Sequence, residues 1–210
     1  MEKKPIFKPV FMLDLDETLI NSMTTDEFKS ISNSKKVKKF KKHNMDDYYI
    51  VFHRPHLQEF LDYIFEHYTV SIWTAASQDY AIFIIDKILR GKKKKNRPID
   101  WVFFNYHCKT ASRRTGGTKN LCMLWDAYKL DGYSPENVII LDDNEQVLGT
   151  NKGSVIVAKA FEFTDENSHE DDFLKRLTAL LKEHNHLRDC SVSESVKSIN
   201  ASLHSTSLSE

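Results

Sequence analysis

VFMLDLDETL, residues 10–19, begins with four apolar residues and runs into the carboxylates of Asp14, Asp16 and Glu17. A short apolar run that stops on acidic residues reads as a buried parallel strand delivering side chains to a site at its carboxyl end. VIILDDNEQV, residues 138–147, has the same form and stops on Asp142 and Asp143. Ligands of open α/β sheets bind outside the carboxyl ends of the strands, so the two acidic pairs are expected to meet there. Four converging carboxylates repel one another unless a hard cation neutralises them, and an all-oxygen donor set favours Mg2+ with several retained waters.

Working outward, further apolar runs at Val70–Trp73, Trp101–Phe104 and Val155–Ala158 predict three more buried strands. Helical spacing of apolar residues follows them or lies between them. It runs from Leu57 to about His67 behind Arg54-Pro55, with Pro55 at the first helical position, then through Ala81, Ile84, Ile85 and Ile88. Leu121, Leu124, Trp125 and Tyr128 give another helix after a long polar loop containing RRTGGTK, residues 113–119. Phe173, Leu174, Leu177, Leu180 and Leu181 give a closing one. Strands alternating with helices predict an α/β fold, a doubly wound, Rossmann-like parallel sheet with helices on both faces. Tyr48–Phe52 is aromatic and β-branched, which predicts a small β insertion after strand one, over about residues 22–53. The catalytic domain is expected over residues 1–190. Residues 191–210 hold eight serines and no aromatic, and are expected to form a disordered tail with too little apolar surface to pack.

Composition narrows the class. Among 210 residues, 30 Lys and Arg balance 30 Asp and Glu, so affinity for a polyanion would have to come from local patches. Three cysteines without C-x-x-C spacing argue against a disulfide framework or a zinc site. No apolar run approaches membrane-spanning length, and no signal-peptide core precedes the first acids, so a soluble nuclear or cytoplasmic monomer is expected. Two lysine runs, Lys35–Lys42 and Lys92–Arg97, read either as solvated loops or as sites for nuclear import or an acidic partner.

DLDETL at residues 14–19 resembles the first motif of the haloacid dehalogenase superfamily. Its form is that of RNA polymerase II C-terminal-domain phosphatases and their small, NLI-interacting-factor-like relatives. SIWTAAS with Thr74, GTKNL with Lys119 and VIILDDNEQV with Asp142 and Asp143 match the later motifs in order, and Arg54-Pro55 before Glu59-Phe60-Leu61 matches as well. The resemblance implies a Mg2+-dependent phosphomonoester hydrolase working through an aspartyl-phosphate, acting on phosphoserine or phosphothreonine in a protein or peptide. It implies Asp14 as nucleophile and metal ligand, and Asp16 as acid and base with its carbonyl on the metal. Thr74, Ala75 and Lys119 would hold the phosphoryl group, Asp143 the metal, and Asp142 and Thr18 would support them.

Plainer readings stand beside these. Thr74 suits a helix N-cap, Lys119 a solvated surface group, the glycines of RTGGTK loop hinges, and His53, His56 and His107 packing or surface roles. Two other functions share the motifs: a nucleic-acid 3′-end phosphatase, and a catalytically inactive scaffold of the same fold. Small C-terminal-domain phosphatases often carry arginine where His107 and Lys109 stand in FFNYHCKT, and Arg113 or Arg114 could substitute for it.

Overall fold

The computed structural model describes residues 8–187 and 192–205, apart from the side chains of residues 94 and 95. Its elements run β1 (Val10–Leu13), β2 (Ile20–Thr24), α1 (Thr25–Ile31), β3 (Lys42–Met45), β4 (Tyr49–His53), α2 (Leu57–His67), β5 (Thr69–Trp73) and α3 (Gln78–Ile84). They continue β6 (Val102–Phe103), α4 (Asn105–Thr115), β7 (Val138–Asp142), α5 (Glu145–Thr150), β8 (Val155–Val157), α6 (Phe173–Glu183) and α7 (Val192–Ser205).

Five strands form one parallel sheet in the order β6-β5-β1-β7-β8. Successive side chains of a strand point to opposite faces, and β1 divides accordingly. Phe11 and Leu13 join the core beneath α2, α3, α6 and α7, while Val10 and Met12 join the one beneath α4 and α5. Both faces are therefore covered, which is the doubly wound α/β fold expected from the alternation of strands and helices.

The insertion after β1 is a separate antiparallel sheet, β2-β4-β3, carrying α1. Its own small core sets Phe40 and Phe52 against Phe161 and Phe163. Arg54, at the exit of β4, is fully buried and makes two 2.9 Å bonds to the Asp171 carboxylate and another of 2.9 Å to the Thr18 carbonyl. That guanidinium ties the loop after β1 to the approach of α6. The α2 helix begins at Leu57 behind a left-handed His56, so Pro55 precedes the helix instead of opening it.

The structure departs from the sequence reading in three further places. Residues 192–205 form α7, with Val192, Val196, Ile199 and Leu203 buried against α6 and β8. Spacings of three and four put these residues on one helical face, where Ser195 is buried with them, and the segment packs after all. Asn200 strengthens the docking: its amide donates to the Val155 carbonyl at 2.8 Å and its carbonyl accepts from Val157 N at 3.0 Å. The remaining tail positions, residue 191 and residues 206–210, lie outside the described residues, as does Cys190.

The polar stretch before Lys119 is largely the helix α4, closed by Gly116 at φ 78°. Gly117 then passes so near Thr150 that a Cβ there would lie 2.4 Å from its hydroxyl, so this glycine permits a close approach. In the second lysine run Arg97 is buried, binding the Leu89 carbonyl at 2.6 Å and Asp62 at 2.7 Å. No helix among the described residues is long and apolar enough to cross a membrane.

Candidate active site

Register alone brings the acidic motifs together. Leu13 pairs with Leu141 and with Ile72, so the residues that follow β1, β5 and β7 emerge side by side at one edge of the sheet. Asp14, Asp16, Thr74, Ala75, Lys119 and Asp143 all line one cleft there, of about 300 Å3. Asp142 lies at its base, 1% exposed.

Lys119 is the hub. Its ammonium lies 2.7 Å from Asp14 Oδ1 and 2.8 Å from Asp142 Oδ2, with only 5% of the residue exposed. It is therefore no solvated surface lysine. Burial works against its charge, but the two carboxylates outweigh burial and hold its pKa above the ordinary value. Its backbone is left-handed, φ 49°. Asn151 secures that turn by donating to the Lys119 carbonyl at 3.0 Å and accepting from Leu121 N at 2.8 Å.

Asp14, Asp142 and Asp143 each offer a carboxylate oxygen, and these oxygens lie within 4.8 Å of one another. Burial raises the pKa of Asp14 and of Asp142, and the attraction of Lys119 only partly offsets it. One ammonium among three carboxylates leaves excess negative charge in a cleft of low dielectric. A hard divalent cation with oxygen ligands is the group this donor set fits.

Thr18 is fully buried and donates to Asp143 Oδ1 at 2.9 Å, which fixes that carboxylate beside Asp14. The Thr74 hydroxyl accepts from Ala76 N at 3.0 Å in a local turn, while the N-cap of α3 is Ser77. Thr74 is thus not the helix cap its residue type suggests.

Asp16 is held from the other side. The Tyr80 hydroxyl donates to its Oδ1 at 2.6 Å and lies 3.1 Å from Ser22 Oγ on β2. Burial lifts the Asp16 carboxyl above the usual range, with the Tyr80 hydrogen bond pulling the other way. Sequence reasoning missed Tyr80 and Asn151. Tyr80 stands next to the apolar stripe of its helix, and Asn151 is one polar residue just past the short helix α5, so neither breaks a local pattern. The three weighed histidines stay out of the cleft, and His107 accepts from Phe104 N at 3.1 Å to open α4.

A doubly wound sheet, an antiparallel insertion after the first strand, and acidic pairs at the ends of β1 and β7 define the haloacid dehalogenase class of phosphatases. Comparison with known proteins narrows this. The NLI interacting factor-like phosphatase family matches residues 9–191, and the chain belongs to that family. It is 39% identical over 179 residues to CTD phosphatase-like protein 355R of Invertebrate iridescent virus 6, covering 82% of this chain and 96% of the viral protein. The counterpart 355R of Invertebrate iridescent virus 3 is 36% identical over 180 residues, covering 83% and 96%. In fold, the chain is similar to fission yeast Fcp1, an RNA polymerase II CTD phosphatase, in its R271A form bound to beryllium fluoride. The TM-score is 0.55 at 19% identity, over 93% of this chain and 63% of that one. A second Fcp1 structure gives 0.53 at 18% identity over the same shares. By family, the protein is a phosphatase.

Proposed function

We propose that this phosphatase hydrolyses phosphoserine or phosphothreonine in proteins, through an aspartyl-phosphate on Asp14 and with Mg2+ as cofactor. The observation that carries this reading is the contact of Asp14 Oδ1 with Lys119 at 2.7 Å, within a cleft that Thr74, Ala75, Asp16 and Asp143 also line. The protein substrate is inferred from the C-terminal-domain phosphatase relatives.

Asp14 attacks the phosphorus, and the ester oxygen leaves as a hydroxyl with the proton of Asp16. Water then attacks the phosphoryl group, giving its proton to Asp16, and Asp14 is released with inorganic phosphate. The raised pKa of Asp16 suits it to hold a proton for the first step. Lys119 neutralises charge on the phosphoryl oxygens, and the Thr74 hydroxyl and the backbone at Ala75 donate to them in this reading. Asp14, Asp143 and the Asp16 carbonyl would hold Mg2+, which supplies charge neutralisation for a carboxylate meeting a dianionic phosphate. Asp142 and Thr18 hold Lys119 and Asp143 in position.

The test compares turnover of a phosphoserine peptide and of a 3′-phosphorylated oligonucleotide, each with Mg2+ and with excess EDTA. The expected result is hydrolysis of the peptide with Mg2+ alone. Preference for the oligonucleotide, or full activity after proven removal of metal, would overturn the reading.

A further inference from the structure

The lysine runs beginning at Lys35 and Lys92 are far apart in the chain, yet both border one open groove of about 510 Å3. Lys41 and His43, at the start of β3, form one side. The continuation of α3, Ile85–Arg90, and the turn after it supply Lys87, Arg90 and Lys92 on the other. Among the described residues Asp86 is the one carboxylate in the lining, and it already pairs with Lys87 at 3.5 Å. Lys41 and Lys92 are exposed and have no ion-pair partner among the described residues.

His53 belongs to the same wall. It is 8% exposed, stacks on His43 with ring centroids 5.1 Å apart, and has no hydrogen-bond partner for either ring nitrogen among the described residues.

We propose that this groove is a second anion site, which takes an acidic or phosphorylated segment of the polypeptide substrate flanking the residue that is dephosphorylated. The proposal rests on the protein-phosphatase reading above. Reach supports it. Tyr80 touches Asp16, and Lys87 follows seven residues further along the helix, roughly 10 Å at 1.5 Å per residue. An extended peptide covers that distance in about three or four residues. A polynucleotide fits less well, because among the described residues the lining holds no aromatic apart from the two histidines to stack a base, and the chain carries no net charge.

The experiment compares the parent with a Lys41→Gln, Lys92→Gln double variant at two exposed positions. Three probes of turnover are used: p-nitrophenyl phosphate, a phosphoserine peptide with neutral flanks, and the same peptide with four glutamates on each side; binding of a hydroxyl-ended single-stranded oligonucleotide is measured alongside. The parent is expected to favour the glutamate peptide in kcat/KM by about fivefold, and the variant to lose most of that preference while p-nitrophenyl phosphate turnover stays the same. A parent without the preference, or a variant that loses turnover of all three probes alike, overturns the proposal. Retained peptide preference with lost binding of a hydroxyl-ended single-stranded oligonucleotide assigns the groove to nucleic acid and overturns it too. A parent that hydrolyses p-nitrophenyl phosphate and neither peptide refutes the protein-substrate reading itself, and the groove proposal falls with it.

Discussion

The Tyr80 hydroxyl donates a 2.6 Å hydrogen bond to Asp16 Oδ1, joining α3 to the loop after β1. Ser22 of the insertion lies 3.1 Å from the same hydroxyl, so three separate elements hold this carboxylate in place. The bond favours ionised Asp16, and burial opposes it. Tyr80→Phe should therefore raise the Asp16 pKa further and move the alkaline limb of the kcat/KM profile to higher pH. Loss of orientation should lower kcat on a phosphoserine peptide by about tenfold, and less on p-nitrophenyl phosphate, whose leaving group needs little acid. Equal losses on both substrates with an unshifted profile would show that Tyr80 is only structural.

Asp14 and Asp16 should fail in different ways. Asp14→Asn removes the attacking oxygen, so no phosphorylated enzyme should form. Asp16→Asn leaves Asp14 in contact with Lys119 and removes the group that activates water, so p-nitrophenyl phosphate should leave a slowly hydrolysed adduct. Intact-mass spectrometry after acid quenching reads the difference as one added, hydroxylamine-labile phosphoryl group. An adduct on the Asp14→Asn protein would exclude Asp14 as the nucleophile.

The α7 helix should matter to stability. Ile199 is fully buried, and Ile199→Ala should cost about 2–4 kcal/mol in urea denaturation, the usual range for a cavity of that kind. Removing residues 192–210 should lower Tm clearly, since it also uncovers the parts of α6 and β8 that pack against the helix. An unchanged Tm would mean that the helix contributes nothing to the fold in solution.

His53 should make stability fall at acid pH. Burial holds its pKa down to about 4, against an ordinary value of 6.5, with His43 and Lys41 adding repulsion. The unfolded chain therefore takes up a proton below pH 6.5 that the folded protein refuses until about pH 4. The stabilisation is complete above pH 6.5 and is lost as pH falls toward 4. Between pH 7.5 and 5.0 the loss is roughly 2 kcal/mol. Subtracting the same measurement on His53→Phe isolates it from the other carboxylates and histidines. Identical pH slopes in the two proteins would refute the assignment.

Much of the site could be read directly from the chain. Asp14 and Asp143 end strands whose apolar runs mark them as buried, and parallel pairing of adjacent strands leaves their ends little choice but to meet. Thr74 follows β5 by the same logic. Lys119 needed the motif resemblance, because a lysine in a polar stretch carries no local mark of burial. Its enclosure arises from Asn151 and from the passage of Gly117 against Thr150, contacts between segments about thirty residues apart.

What the sequence determined by itself is whatever depends on local period: the order of strands and helices, the two-sided burial of β1, and the acids at the ends of β1 and β7. Tertiary structure alone decided the rest. A serine-rich segment with four apolar residues at helical spacing has no reason to fold until α6 and β8 offer a surface to cover. Tyr80 meets Asp16 only where α3 docks beside the loop after β1, and the two lysine runs meet only at the groove between the insertion and the end of that helix. Hydrophobic periodicity reports which face of an element is buried, whereas pairing between distant polar groups depends on how the elements are docked, and short-range pattern does not carry that information.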